Sequence, residues 1–160
     1  MGTPLLTIEV TSRSEAQTVD LAARLGRKLT GGQVIALEGA LGSGKTCFVR
    51  GLAAGLGLDS SAVCSPTFVI WRRYSDGAPL SLVHVDAFRL GGTHDLDSIG
   101  WDELLAETGT VIAVEWAGRI AEALPRGRLE VVMEHLAESS RRIRLTAPRE
   151  LARLWEHCGG

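Results

Sequence analysis

Apolar and polar positions alternate along residues 5–10 and predict an opening β-strand. The period then lengthens. Ser14, with Gln17 three residues on, makes a capping-box pattern ahead of a helix over residues 15–29, on which Leu21, Leu25 and Leu29 share one face. Gly31-Gly32 is its expected stop. Val34-Ile35-Ala36-Leu37 is a short apolar run of buried-strand type, and residues 46–56 read as a second helix. Gly55 and Gly57 open a loop that runs to Pro66. Residues 68–74 and 80–86 are strand-like with Asp76-Gly77 between them, which predicts an antiparallel hairpin. Residues 91–105 are polar with short apolar repeats and predict small helices at 95–99 and 101–105. A buried-type strand at 111–115 follows, then a helix over 118–124 that stops before Pro125. Residues 129–136 and 141–146 predict a closing pair of strands, and 149–157 a last helix. With no internal repeat or linker, a chain of 160 residues is expected to form one α/β domain over residues 1–160.

Composition removes several classes of function. Hydrophobic residues make up 45% of the chain and charged residues 22%, which excludes wholesale disorder. No membrane span and no secretory leader are evident, so a cytoplasmic location is expected. Cys47, Cys64 and Cys158 lack the spacing of a zinc site or a disulfide framework. A net charge of −2 gives no general pull toward nucleic acid. In the densest basic run, a strand would set Arg142 and Arg144 on one face and Arg141 with Ile143 on the other. A solvated edge is preferred there to an RNA contact. Asparagine is absent, so the guanine-reading N-K-x-D motif is absent too.

Candidate chemistry concentrates between the first buried strand and the second helix. Gly39-Ala40-Leu41-Gly42-Ser43-Gly44-Lys45-Thr46 fits the phosphate-binding pattern G-x-x-x-x-G-K-[ST] at every fixed position, in the strand-to-helix context that the motif needs. Glycines 39, 42 and 44 let successive N–H groups turn inward, and the helix N-terminus adds partial positive charge. Nucleotide contacts are expected from Gly39, Leu41, Gly42, Ser43, Gly44, Lys45, Thr46 and Cys47. Lys45 would reach the β- and γ-phosphates of a nucleoside triphosphate, and the Thr46 hydroxyl would be a ligand of Mg²⁺. Asp86 ends the strand Leu82-Val83-His84-Val85-Asp86 and is the Walker B candidate, reaching Mg²⁺ directly or through water opposite the Thr46 hydroxyl. His84 shares its face, as a structural residue or as part of the site. Glu115 ends another apolar strand, where it orients the attacking water, completes the metal shell, or merely caps a helix or faces solvent. Trp116 is a pocket wall or plain packing. Cys64-Ser65-Pro66-Thr67-Phe68 is either a loop that senses the γ-phosphate or an ordinary turn.

Together these elements resemble one family. Residues 39–46 followed by Arg50-Gly51, then Ser65-Pro66-Thr67-Phe68, then His84-Val85-Asp86-Ala87-Phe88-Arg89-Leu90, then Val114-Glu115-Trp116 are similar to the bacterial TsaE (YjeE) proteins. These are the ATPase subunits of the machinery that makes threonylcarbamoyladenosine in tRNA. The resemblance implies a P-loop NTPase-type fold in which helices flank a mixed sheet, with antiparallel strands beside a parallel centre. It implies ATP with Mg²⁺, docking onto TsaD and TsaB, and tRNA met through that complex. Carried over residue by residue, Lys45 and Thr46 bind phosphate and metal, Asp86 is the Walker B acid, Thr67 belongs to the switch-like loop, and Glu115 is needed for hydrolysis. Ala40, Cys47 and Phe88 depart from the family's usual acidic residue, threonine and tyrosine. Two rivals stand beside this reading. A small-molecule kinase is weakened because residues 91–105 hold no arginine or lysine. A nucleotide-sensing module with incidental hydrolysis is separated from an ATPase only by kinetics.

Overall fold

In a computed structural model that describes residues 2–158, strand β2 (Val34–Glu38) runs through the middle of a seven-stranded sheet. Its first four residues are buried, the condition of a strand covered on both faces. β2 pairs in parallel with β5 (Thr110–Glu115) on one side and with β6 (Leu129–Ala137) on the other. β4 (Ser81–Asp86) lies parallel outside β5, and β3 (Trp71–Tyr74) closes that edge antiparallel to it. Beyond β6, β7 (Ser140–Pro148) and then β1 (Leu5–Ser12) are antiparallel. The order β1-β7-β6-β2-β5-β4-β3 makes one mixed sheet with a parallel centre, the P-loop NTPase-like arrangement.

Each face of the sheet has its own core. Helices α1 (Glu15–Gly26) and α2 (Lys45–Gly55) belong to one, where Leu25, Phe48 and Leu52 meet Ile35, Leu37 and Val131. Ser14 caps α1 by accepting from the Gln17 N–H, and Gln17 Oε1 in turn accepts from the Arg13 N–H at 2.6 Å. On the other face Val34, Ala36, Val83, Val85, Ile112 and Val114 pack against α3 (Trp101–Ala106) and the 3₁₀ segments Thr93–Ile99 and Ala117–Ala123. No helix among the described residues is long and apolar enough to cross a membrane.

Several elements differ from the sequence expectations. α1 ends at Gly26 rather than Leu29, and Leu29 joins the core from the loop beyond. Residues 66–70 form a turn in which Val69 and Ile70 both donate to the Pro66 carbonyl, so strand β3 begins only at Trp71. The segment expected as an α-helix at 118–124 is 3₁₀, interrupted at Ile120. The last helix shortens to α4 (Arg149–Ala152) plus one 3₁₀ turn, Arg153–Trp155, and indole-bearing Trp155 is fully buried. Residues 141–144 are not on a sheet edge, because β1 pairs outside β7. Arg142 and Arg144 are neutralised there by Glu9, with Glu134 also on Arg142.

Candidate functional site

The carboxyl ends of parallel β2, β5 and β4 converge on the amino end of α2, and a cavity of about 760 Å³ opens there. The loop after β2 turns tightly into α2 because Gly44, the cap residue, has φ 103°, a left-handed conformation that strains residues with a Cβ. α2 has no side-chain cap, so the N–H groups of Lys45, Thr46 and Cys47 have no acceptor within the helix. Ser43 Oγ is buried and has no hydrogen-bond partner among the described residues. Unclaimed donors at a helix N-terminus fit an anionic phosphate.

Lys45 is buried at the base of this loop. Its ammonium donates to the carbonyls of Gly39 at 2.5 Å and Ala40 at 3.2 Å, and lies 4.1 Å from the centre of the Trp116 ring. Burial lowers its pKa, while the carboxylates of Glu115, Glu38 and Asp86 pull it the other way. Trp116 holds φ 58°, an unusual conformation for a bulky residue, and its ring stands 5.0 Å from that of Phe88. Cys47 lines the same cavity; burial and then Glu15 raise its thiol pKa and keep it protonated. Leu41 lies at the mouth, 90% exposed.

The two candidate acids occupy different strands and have different partners. Glu115 ends β5, the immediate neighbour of β2, and accepts from the Thr46 hydroxyl at 3.0 and 3.2 Å. Asp86 ends β4, one strand further out. Its Oδ2 accepts from Ser65 Oγ at 3.2 Å and Thr67 Oγ1 at 3.0 Å, and its Oδ1 from the Phe88 N–H at 2.9 Å. Strand order thus pairs the Thr46 hydroxyl with Glu115 and ties Asp86 to the Ser65–Thr67 loop. His84 Nε2 lies 2.5 Å from Glu115 Oε2.

Among the described residues no group of three or more His, Cys, Asp or Glu side chains could hold a metal by itself. The set Thr46, Glu115 and Asp86 nevertheless suits Mg²⁺, which commonly takes one or two protein carboxylates and completes its octahedron with water and phosphate oxygens. The Thr46 proton is already directed to Glu115, so the hydroxyl lone pairs stay free for a cation.

Sequence reasoning missed Arg141. From the first residues of β7 it donates to the carbonyls of Gly42 and Ser43 in the loop between β2 and α2, each at 3.1 Å, and to those of Ala137, Glu138 and Ser140 in its own turn. The signal was its sharing a face with Ile143, since an arginine on a core-facing row needs acceptors. Ser14, Glu15 and Thr18 of the first helix and its cap, and Glu138 and Ser139 of the β6–β7 turn, also line the cavity.

Comparison with known proteins adds to this geometry. A family model described as "Threonylcarbamoyl adenosine biosynthesis protein TsaE" matches residues 12–143. The chain is 40% identical over 132 residues to the tRNA threonylcarbamoyladenosine biosynthesis protein TsaE of Treponema pallidum, a match covering 82% of this chain and 95% of that protein. It is 43% identical over 116 residues to the Bacillus subtilis protein of the same description, covering 72% and 70% respectively. Among solved structures, Bacillus subtilis YdiB superposes with a TM-score of 0.73 at 31% identity, covering 97% of this chain and 95% of that one.

Proposed function

This chain belongs to the TsaE family, and from that premise we propose that it is the Mg²⁺-dependent, ATP-hydrolysing subunit of the cytoplasmic machinery that makes threonylcarbamoyladenosine in tRNA. The observation that carries the chemical part is the pairing of Thr46 with Glu115 beneath the uncapped start of α2. The loop N–H groups and Lys45 bind the phosphates. Mg²⁺, when bound, supplies positive charge to the β- and γ-phosphate oxygens. The role read for Glu115 is to orient a water toward the γ-phosphate, supported by its bond to Thr46 at the start of α2, and that for Asp86 is to hold the Ser65–Thr67 loop against the same end of the cavity. Trp116 and Phe88 wall the cavity beside Lys45.

TsaD and TsaB are the proposed partners, with tRNA met through them. A free-standing P-loop has few groups that stabilise a transferring phosphoryl, so the isolated subunit hydrolyses slowly and its partners raise the rate. The test is Glu115→Gln. ATP binding should persist, while hydrolysis falls by about 100-fold, the scale of a general-base contribution. In a reconstituted system the variant should support one round of tRNA modification and fail over many. Full multiple-turnover yield from a hydrolysis-dead variant would instead favour a nucleotide sensor.

A further inference from the structure

We propose that His84 is a positioning residue for ATP hydrolysis, whose imidazole fixes the Glu115 carboxylate against the Thr46 hydroxyl. This rests on the reading of Glu115 as the acid that serves hydrolysis. In the β4–β5 register His84 stands opposite Ala113 and Asp86 opposite Glu115, so His84 and Glu115 are diagonal neighbours on one sheet face. That diagonal brings Nε2 to 2.5 Å from Glu115 Oε2. The ring is fully buried and does not line the cavity, so any effect it has on bound nucleotide passes through Glu115.

The other ring nitrogen is what makes the position informative. Nδ1 is buried and has no hydrogen-bond partner among the described residues. A buried polar atom left unpaired disfavours the fold, and an apolar side chain between Leu82 and Ala113 would avoid that cost. Among the described residues the only side-chain hydrogen bond of His84 is the one to Glu115. A glutamate has three side-chain torsions, and the Thr46 hydroxyl, which can donate to either carboxylate oxygen, does not by itself select one orientation. With Nε2–H donating to Oε2, the carboxylate is held from both sides. Oε1, which His84 does not touch, keeps acceptor capacity for Thr46 and for a water.

The experiment measures ATP turnover by the protein with its TsaD and TsaB partners, and affinity for a non-hydrolysable ATP analogue. The variants are His84→Leu, His84→Asn and His84→Gln, alone and in the Glu115→Gln background. Glutamine sets an amide nitrogen near the Nε2 position, whereas asparagine sets one near Nδ1. His84→Leu and His84→Asn should lower kcat by about 10- to 100-fold, the scale for groups that orient a catalytic or metal-bound residue, with analogue affinity unchanged. His84→Gln should retain most of the rate. In the Glu115→Gln background His84→Leu should add little, because the two act as one unit. If His84→Leu does not fold, the contrast between glutamine and asparagine decides the matter. A slow Glu115→Gln beside fully active His84→Asn, or losses that add in full, overturns the proposal alone. A fully active Glu115→Gln overturns the reading of Glu115 itself, and the proposal with it.

Discussion

Burial strips water from the Lys45 ammonium and lowers its pKa below the ordinary lysine value, an effect larger than the opposing pull of Glu115, Glu38 and Asp86. The folded protein therefore holds this proton less tightly than the unfolded chain does. By itself this shift lowers stability at neutral pH, an effect that fades as the pH rises toward the ordinary lysine range, where the unfolded chain also loses the proton. A residue kept at such a cost points to function rather than to packing. Lys45→Met should accordingly raise the thermal midpoint at pH 7, and the difference from the parent should shrink near pH 10. ATP affinity should fall by about 10- to 100-fold, the equivalent of one lost charge-assisted contact of roughly 1.5–3 kcal/mol. Thermal unfolding at the two pH values and calorimetry with ATP check both halves. A midpoint lowered at pH 7 would mean that the bonds to Gly39 and Ala40 outweigh the desolvation. Lys45 and Thr46 were legible in the sequence because a contiguous motif fixes their spacing. Arg141 was not, because its acceptors at Gly42 and Ser43 lie about 100 positions away in the chain and meet it only through the fold.

At the scale of elements, α1 and α2 meet through small residues. A Cβ at Gly51 would come within 2.4 Å of the Val19 carbonyl oxygen and 2.5 Å of Ala22 Cβ. One at Gly55 would come within 2.3 Å of the Ala23 carbonyl oxygen. These neighbours are backbone or stubby side chains and cannot turn aside. Alanine in mid-helix gains about 1 kcal/mol over glycine in propensity, whereas overpacking costs about 1–3 kcal/mol and here works against backbone. Gly51→Ala should therefore lower the thermal midpoint, and by more than Gly57→Ala, where a Cβ meets nothing but φ is +81°. Because α2 begins at Lys45, displacing it should also weaken ATP binding, which separates this close contact from an ordinary core defect. The sequence marked Gly51 only as part of a resemblance; its physical reason is a helix contact that no local pattern announces. Strand and helix positions were otherwise readable from periodicity, with errors at the end of α1, the turn of residues 66–70 and the 3₁₀ segments, where hydrogen bonding switches within a few residues.

The whole molecule assembles its cavity from segments far apart in the chain: the cap and first turn of α1, the β2–α2 loop, the Ser65–Thr67 loop, the ends of β4 and β5, and the β6–β7 turn. Apolar runs foretold the strands but not their order, which decides that Glu115 rather than Asp86 stands beside Thr46. Two of these segments are fastened to the rest by side chains. Asp86 accepts from Ser65 and Thr67, and Arg141 joins the β6–β7 turn to the carbonyls of Gly42 and Ser43. An arginine that donates to carbonyls of both the turn and the loop links the two, so a nucleotide that orders the loop should order the turn. ATP with Mg²⁺ is thus expected to slow amide exchange together in residues 39–47, 64–69 and 137–141, and to leave residues 93–106, behind the opposite sheet face, unaffected. Arg141→Ala should abolish the protection at 137–141 while preserving that at 64–69. It should also weaken ATP binding by roughly 10-fold, as expected when a hydrogen-bonded charge worth about 1.5 kcal/mol no longer preorganises the loop. Hydrogen exchange read by mass spectrometry on the parent and the variant measures all three segments at once. Protection at 137–141 that persists without Arg141 would show that the nucleotide holds the turn directly and that the arginine is not the link.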